Sequence, residues 1–448
     1  MDTLSIDRWV EAQVPRTMEA WQQSEGLWNS SPRHYTPTEQ AGREKAYDRA
    51  LREVRREATK ASRTHSASAA GQIEQRLVAS FARFAAAALD LDDAAIGLLT
   101  RHFLPIGTQL ARWARKFDSS LSTGDIIQAS RNAWTACGLQ PLLGAPMELT
   151  PAILAYSLLY PYTDNYLDQQ HISRGEKLRF SEKFRCRLRG EGLSPVNHHE
   201  RSVWTMVQLI EEQYPRDRYP AVFESLLAIH CAQEQSLAQL GNVGRITEQD
   251  LLRISCFKGG TSVLADAFLV HGHLTAQQSR FAFEWGVLLQ LGDDLQDVHE
   301  DLERASDTLF TRAVRSGCRL DDLASQLLNF SDVVAAQMIA LPHGDETHNA
   351  LLRMSWRSLI LMAVAQAHEC FSPAMLDDLE RCSPFRFAFL RSRRETLDGD
   401  SGLIERLFQI LLAGGSPVPL PHLRRNFDRA FPAHAPELVP APAFPPLF

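Results

Sequence analysis

Apolar residues recur along this chain every three or four positions, the spacing of one helix face, in nearly every long segment. Arg76–Leu91, Val203–Glu212, Ala221–Leu240 and Leu351–Cys370 all follow this pattern. Alternating runs of β-branched residues, and Asn-Gly or Asp-Gly turns between such runs, are missing. The pattern predicts an all-α protein. Its centre of mass in sequence is residues 76–413, read as one helical body. Residues 1–75 are polar, mixed in charge and poor in large aliphatics from residue 40 on. They are expected to form a solvated helical extension with a Ser/Ala-rich linker at Ser62–Gly71. Residues 414–448 carry nine of the 23 prolines and are expected to be extended or disordered.

Composition narrows the function classes. Against 54 acidic residues stand 47 Lys and Arg, a net charge of −7 over 448 residues, so the overall field does not favour nucleic acid. Any anion must be held by a local device, such as a metal ion or an arginine cluster. No apolar run approaches the roughly 18 residues of a membrane-spanning helix. The N-terminus lacks a basic n-region followed by an apolar h-region, so no secretory signal is expected. Seven scattered cysteines without CxxC or Cys/His spacing are expected to be reduced thiols, which points to the cytoplasm.

Two stretches carry candidate chemistry. In PYTDNYLDQQHISRGEK, Asp164 and Asp168 are four apart and lie on one helix face, delivered by the apolar, aromatic run AILAYSLLYPY. In GVLLQLGDDLQDVHEDL, Asp293, Asp297 and Asp301 recur every four residues, with Asp294 beside the first and Gln290 one turn earlier. A lone DxxxD reads far more readily as a solvated surface turn. Two apolar helices that each run into acids suggest carboxylates facing one another across a cavity. Hard oxygen ligands without His or Cys suit Mg²⁺, which takes one or two carboxylates and completes its shell with water and phosphate oxygens.

At these residues the chain resembles the class I isoprenoid synthase superfamily. DNYLDQQHISRG resembles the first aspartate-rich motif, DDxxDxxxxRRG, and GVLLQLGDDLQD resembles the second, GxxFQxxDDxxD, 125 residues further on and in the same order. The resemblance implies a helical bundle around a deep apolar pocket for a prenyl chain, with up to three Mg²⁺ ions (Mn²⁺ as a substitute) holding a prenyl diphosphate at its mouth. By position, Asp164, Asn165 and Asp168 would bind metal from one wall, and Asp293, Asp294 and Asp297 from the other. The catalytic acids would be Asp164, Asp168, Asp293 and Asp297. Arg174 would bind the diphosphate, and Lys258 and Thr261, in CFKGGTSVLADAF, loosely resemble a Lys-Thr pair of prenyltransferases. Gln290 is expected to hydrogen-bond a metal-bound water or the diphosphate, or else a neighbouring helix. Tyr156, Tyr160, Phe257, Phe268 and Trp285 are candidates for the pocket wall or for plain core. Arg391 and Arg394, three apart in SPFRFAFLRSRRETL, would fold over the diphosphate or form a basic surface turn. Family habit implies a homodimer.

Four departures from the family pattern shape the expected activity. Asn165 replaces the second acid, Ser173 replaces the first arginine of RRG, no GGKR-type motif for isopentenyl diphosphate is present, and VHEDLERASD follows the second motif where elongating enzymes carry lysine. Chemistry on one diphosphate, as in a terpene synthase or cyclase, is therefore favoured over chain elongation or head-to-head condensation, although the NSE/DTE triad of typical cyclases is also absent. A non-catalytic isoprenoid-diphosphate-binding protein on the same scaffold is the alternative. A di-iron bundle is set aside because no Glu-x-x-His motif occurs.

Overall fold

In a computed structural model, the structure describes residues 5–28, 33–61, 67–168, 172–239, 244–398, 401–413, 418 and 420. Among them every regular element is helical. In chain order these are α1 Ile6–Gln22, α2 Pro37–Ala61, α3 Ala67–Leu89, α4 Asp93–Leu98, α5 Leu104–Phe117, α6 Thr123–Leu142, α7 Pro151–Asp168, α8 Arg174–Leu188 and α9 His198–Gln213. There follow α10 Pro220–Ser236, α11 Glu248–His271, α12 Ala276–Gln296, α13 Val298–Glu303, α14 Leu309–Arg315, α15 Asp321–Ile339, α16 Glu346–Gln366, α17 Pro373–Arg381, α18 Phe387–Asp398 and α19 Ser401–Ala413. A single π-helical turn, Leu99–Phe103, joins α4 to α5.

The chain divides into two compact units. One comprises Met1–Pro32, Gly138–Pro146 and Leu159–Leu379, and the other Arg33–Cys137, Met147–Leu158 and Glu380–Phe448. Residues 1–32 thus belong to the first unit, although their sequence groups them with the polar extension. The reason is the stripe Ile6, Val10, Val14, Met18 and Trp21 along α1, all buried. Trp9 meets Phe283 and Trp21 meets Phe330 edge-on, with ring centroids 5.9 and 5.8 Å apart.

The second unit has its own core where α2, α3 and α19 meet, built from Ala58, Ile73, Leu403 and Ile410. The charges that make α2 read as a solvated helix pair with α3: Glu57 with Arg76 at 2.8 Å and Glu53 with Arg83 at 2.7 Å. The expected linker at Ser62–Gly71 is helical from Ala67. Apart from Val418 and Leu420, the expected Pro-rich tail lies outside the described residues.

The centre of the first unit is the antiparallel pair α11 and α12. Thr247 caps α11 by accepting from the Asp250 amide, and a reciprocal capping box between Thr275 and Gln278 starts α12. Between them Gly272 has φ +77, a conformation that ends α11, and a methyl there would meet the rings of Tyr219 and Tyr214. The two helices then cross backbone to backbone. A Cβ on Gly286 would stand 2.0 Å from the Gly259 carbonyl oxygen, and one on Gly259 would stand 2.4 Å from that of Gly286. Next to this crossing, Gly260 leaves space that the Phe283 ring fills. No helix among the described residues is long and apolar enough to cross a membrane.

Candidate functional site

The glycine crossing brings α11 against the C-terminal half of α12, where the second acid motif lies. Asp294 is buried, and both of its carboxylate oxygens accept hydrogen bonds, from Ser255 Oγ on α11 at 2.9 Å and from Gln290 Nε2 one turn back at 2.8 Å. Burial raises its carboxyl above the ordinary carboxylate range, while Gln290, the Lys258 ammonium and Ser255 oppose the rise. The Gln290 amide is thus turned on its own helix, and the second acid of the DD pair is anchored to α11.

Asp293 is exposed and Asp297 half-buried. Helix α12 ends at Asp297, whose φ of −95 and ψ of 12 break the axis before α13 begins. The hydrogen-bond ladder nevertheless continues through the break: Asp297 N donates to Asp293 O, and Asp301 N to Asp297 O, each at 2.8 Å. Asp293, Asp297 and Asp301 therefore stay one turn apart in succession. The Asp301 carboxyl is pushed up to about 7, first by burial and then by Asp294, Asp297 and Glu300, with Lys258 pulling the other way. Like charges one turn apart raise one another's carboxyl, and the Lys258 ammonium opposes that rise at Asp301.

Lys258 lies within the field of both Asp294 and Asp301. Thr261 is fully buried and spends its hydroxyl on the carbonyls of Phe257, at 2.7 Å, and Lys258, at 3.3 Å. The two glycines that separate Lys258 from Thr261 are those of the helix crossing. Ser255 and Asp301 are the site members that motif matching passes over. Both carry a signal: Ser255 precedes Lys258 by one helical turn, and Asp301 continues the four-residue aspartate spacing.

The first motif closes α7. Its backbone is helical to Asp168, and the side chains of Tyr160, Asp164, Asn165 and Asp168 lie outside the described residues. Tyr166, between them, stacks on His199 with centroids 4.0 Å apart, and Phe180 packs on the same imidazole at 4.6 Å. His199 Nε2 donates to the Tyr162 carbonyl at 2.7 Å, and burial lowers its pKa. Arg174 opens α8 as an exposed residue. Ser173, which stands where the motif has arginine, is the N-cap of α8 and forms a capping box with Glu176. Arg391 and Arg394 lie on α18 in the second unit.

The aromatic candidates divide. Phe268 and Trp285 are buried core, and Trp285 packs between Phe281 and Trp356. Tyr156 is half-buried in the second unit. Phe257 lines a cleft of about 390 Å³ between α1 and α11, together with Val14, Met18, Glu11, Asp250 and Arg253. This cleft is polar-rimmed and open, unlike the deep apolar pocket that the sequence leads one to expect.

Among the described residues no three His, Cys, Asp or Glu side chains converge into a group that could hold a metal ion by themselves. The donor set of Asp293 and Asp297 nonetheless fits Mg²⁺, which takes one or two carboxylates and leaves its other positions to water and phosphate oxygens. No protein-family model matches the chain, and no curated protein or solved structure matches it either.

Proposed function

We propose that this chain is a Mg²⁺-dependent isoprenoid enzyme that ionises one allylic prenyl diphosphate and releases diphosphate, in the manner of a terpene synthase or cyclase, on an isoprenoid-synthase-type bundle. The observation that carries the reading is the split of the DDxxD acids at the end of α12. Asp294 is buried and hydrogen-bonded from both sides, while Asp293 and Asp297 occupy the helix edge that water reaches. Asp293 and Asp297 would hold the metal, and the resemblance adds Asp164, Asn165, Asp168 and Arg174 as the ligands that would complete the site. Bound Mg²⁺ neutralises negative charge that develops on the leaving diphosphate.

The remaining chemistry belongs to the protein. Ionising an allylic C–O bond separates an anion from a carbocation, and preorganised charge at the anion's end lowers that barrier. Lys258, already near Asp294 and Asp301, adds a fixed cation there. Ser255 and Gln290 hold Asp294 so that its charge stays on the α11 side. Water must be kept from the carbocation, a task this reading gives to the apolar stretches of α11 and α12 that lead into the acids.

Diphosphate release from geranyl, farnesyl and geranylgeranyl diphosphate with Mg²⁺, compared with the Asp293→Ala/Asp297→Ala double variant, tests the reading. Release above the variant for one chain length supports it, and no difference for any of them sinks it. Dependence on isopentenyl diphosphate would instead support prenyl transfer. A thermal shift with Mg²⁺ alone gives a readout apart from turnover: an ion at 100 times its dissociation constant adds about 2.7 kcal/mol of stability, which the double variant should lose.

Ser173 favours a second reading. Where the resembled motif has arginine, Ser173 caps a helix, which serves the scaffold and offers a diphosphate no cation. A non-catalytic prenyl-diphosphate-binding protein would show tight calorimetric binding of a non-hydrolysable analogue with no turnover.

A further inference from the structure

The cleft between α1 and α11 lies wholly within the first unit and carries charges that its own residues leave unbalanced. Helix α1 lines it with Glu11, Val14, Met18 and Glu19, and α11 with Asp250, Arg253 and Phe257, around a space of about 390 Å³. That volume suits a small molecule rather than a protein segment. The two helices run antiparallel here, because Trp9 packs on Phe283 and the Phe283 ring fills the space beside Gly260. Glu11 therefore lies toward the Phe257 end of the cleft and Glu19 toward the Asp250 end. Eight residues of helix separate the two glutamates by about 12 Å along α1. Between them Val14 and Met18 are buried, and with half-buried Phe257 they make an apolar floor.

Of the four charged side chains that line the cleft, one is already satisfied. Asp250 accepts from Thr247 Oγ1 at 2.6 Å and lies in the first turn of α11, where the helix dipole favours an acid. The other three are exposed. Among the described residues Arg253 pairs with none of the carboxylates, Glu11 makes no ion pair, and Glu19 accepts only from the Gln23 amide, at 3.1 Å. Arg8, Arg16, Glu248 and Lys258, the remaining charges on these turns, do not line the cleft. Asp7, one turn before Glu11, shares a field with Glu11, Glu224 and Arg189 and leaves that end negative. An apolar floor is thus bounded by a carboxylate at each end, with one guanidinium between them.

We infer that this cleft binds a free basic α-amino acid. The planar fork of Arg253 takes the carboxylate, and Glu19 takes the α-ammonium. The aliphatic stem lies along Val14, Met18 and Phe257 while its distal cation stays in water beside Glu11. A diamine would leave Arg253 without a counter-charge, and an apolar amino acid would leave Glu11 without one. Ser255 and Lys258, which act on Asp294 from α11, are not part of the cleft, so this site goes beyond the isoprenoid reading and does not depend on it.

The test is a ligand-observed NMR titration of the full chain with lysine, without Mg²⁺ or prenyl diphosphate. Each of three analogues lacks one group: cadaverine the carboxylate, norleucine the distal ammonium, and ε-aminocaproate the α-ammonium. Lysine should bind about three- to fivefold more tightly than any of them, the worth of one exposed ion pair. Arg253→Gln should weaken lysine by about that factor and leave cadaverine no weaker. In the same way Glu11→Gln should weaken lysine but not norleucine, and Glu19→Gln should weaken lysine but not ε-aminocaproate. Melting temperatures should not move, since all three side chains are exposed. Glu303→Gln, an exposed acid on α13, should bind lysine like the wild type. No binding of lysine, an analogue that binds as tightly as lysine, or equal loss in Glu303→Gln overturns the assignment. So does a variant that weakens lysine and its matching analogue alike.

Discussion

Ser255 Oγ lies 2.9 Å from Asp294 Oδ2, a hydrogen bond that ties α11 to α12 inside the first unit. Ser255→Ala leaves a buried carboxylate oxygen short of a donor, which costs about 1–3 kcal/mol. Ser255→Thr keeps the hydroxyl and should recover most of that loss. Urea unfolding of the three proteins measures the difference, and equal midpoints would remove the anchoring role of Ser255.

Two glycine-to-alanine exchanges on the same helix should have opposite signs. At Gly286 the new methyl would lie 2.0 Å from the Gly259 carbonyl oxygen, so the backbones must part. The cost belongs at the upper end of overpacking, about 3 kcal/mol. Gly292 has nothing within 4 Å of its Cβ position, and alanine there should stabilise the helix by roughly 0.5–1 kcal/mol. Melting temperatures that move together would refute the close crossing.

Asp301 sets a pH dependence. In the unfolded chain its carboxyl titrates near ~4, and in the folded protein at about 7. Between these values the folded state holds a proton that the unfolded state has released, so this group's contribution to stability falls as pH rises from about 4 to 7 and then levels off. Asp301→Asn removes the proton and should flatten that part of the curve. Melting temperature against pH for both proteins checks it, and parallel curves would contradict the burial and crowding of Asp301.

Placing an arginine at position 173, where the resembled motif has one, should not be free. Ser173 accepts from the Glu176 amide, while Glu176 accepts from the Ser173 amide and hydroxyl. Both Ser173→Ala and Ser173→Arg give up this cap, at about 1 kcal/mol. If Ser173→Arg raises affinity for a prenyl diphosphate while lowering stability, the serine marks an exchange of binding for structure. Unchanged stability in both variants would show the cap to be dispensable.

The all-α class was legible because three- and four-residue spacing survives in every long segment, and the acids of the second motif were legible because their spacing is local. Other features depend on residues far apart in sequence. Ser255 meets Asp294 across 39 positions, and nothing in the local pattern of either segment announces the pairing. The KGGT glycines look like a flaw in a Lys-Thr motif until Gly286, on the next helix, is found against them. Helix α1 was obscured in another way. Its stripe of Ile6, Val10, Val14, Met18 and Trp21 has core spacing, but the charged segment that follows dilutes it. Phe268 and Trp285 could not be told from pocket aromatics, since helical periodicity marks a buried face without saying what fills the space beyond it.

The backbone contact at Gly259 and Gly286 binds the fates of these two positions. A side chain at either one collides with the carbonyl of the other, so no single step of drift can enlarge one of them while the crossing persists. In any descendant that keeps the acids at the end of α12 opposite Lys258, both positions remain glycine together. A side chain gained at either one has to part the two backbones, and with them Lys258 and the acids.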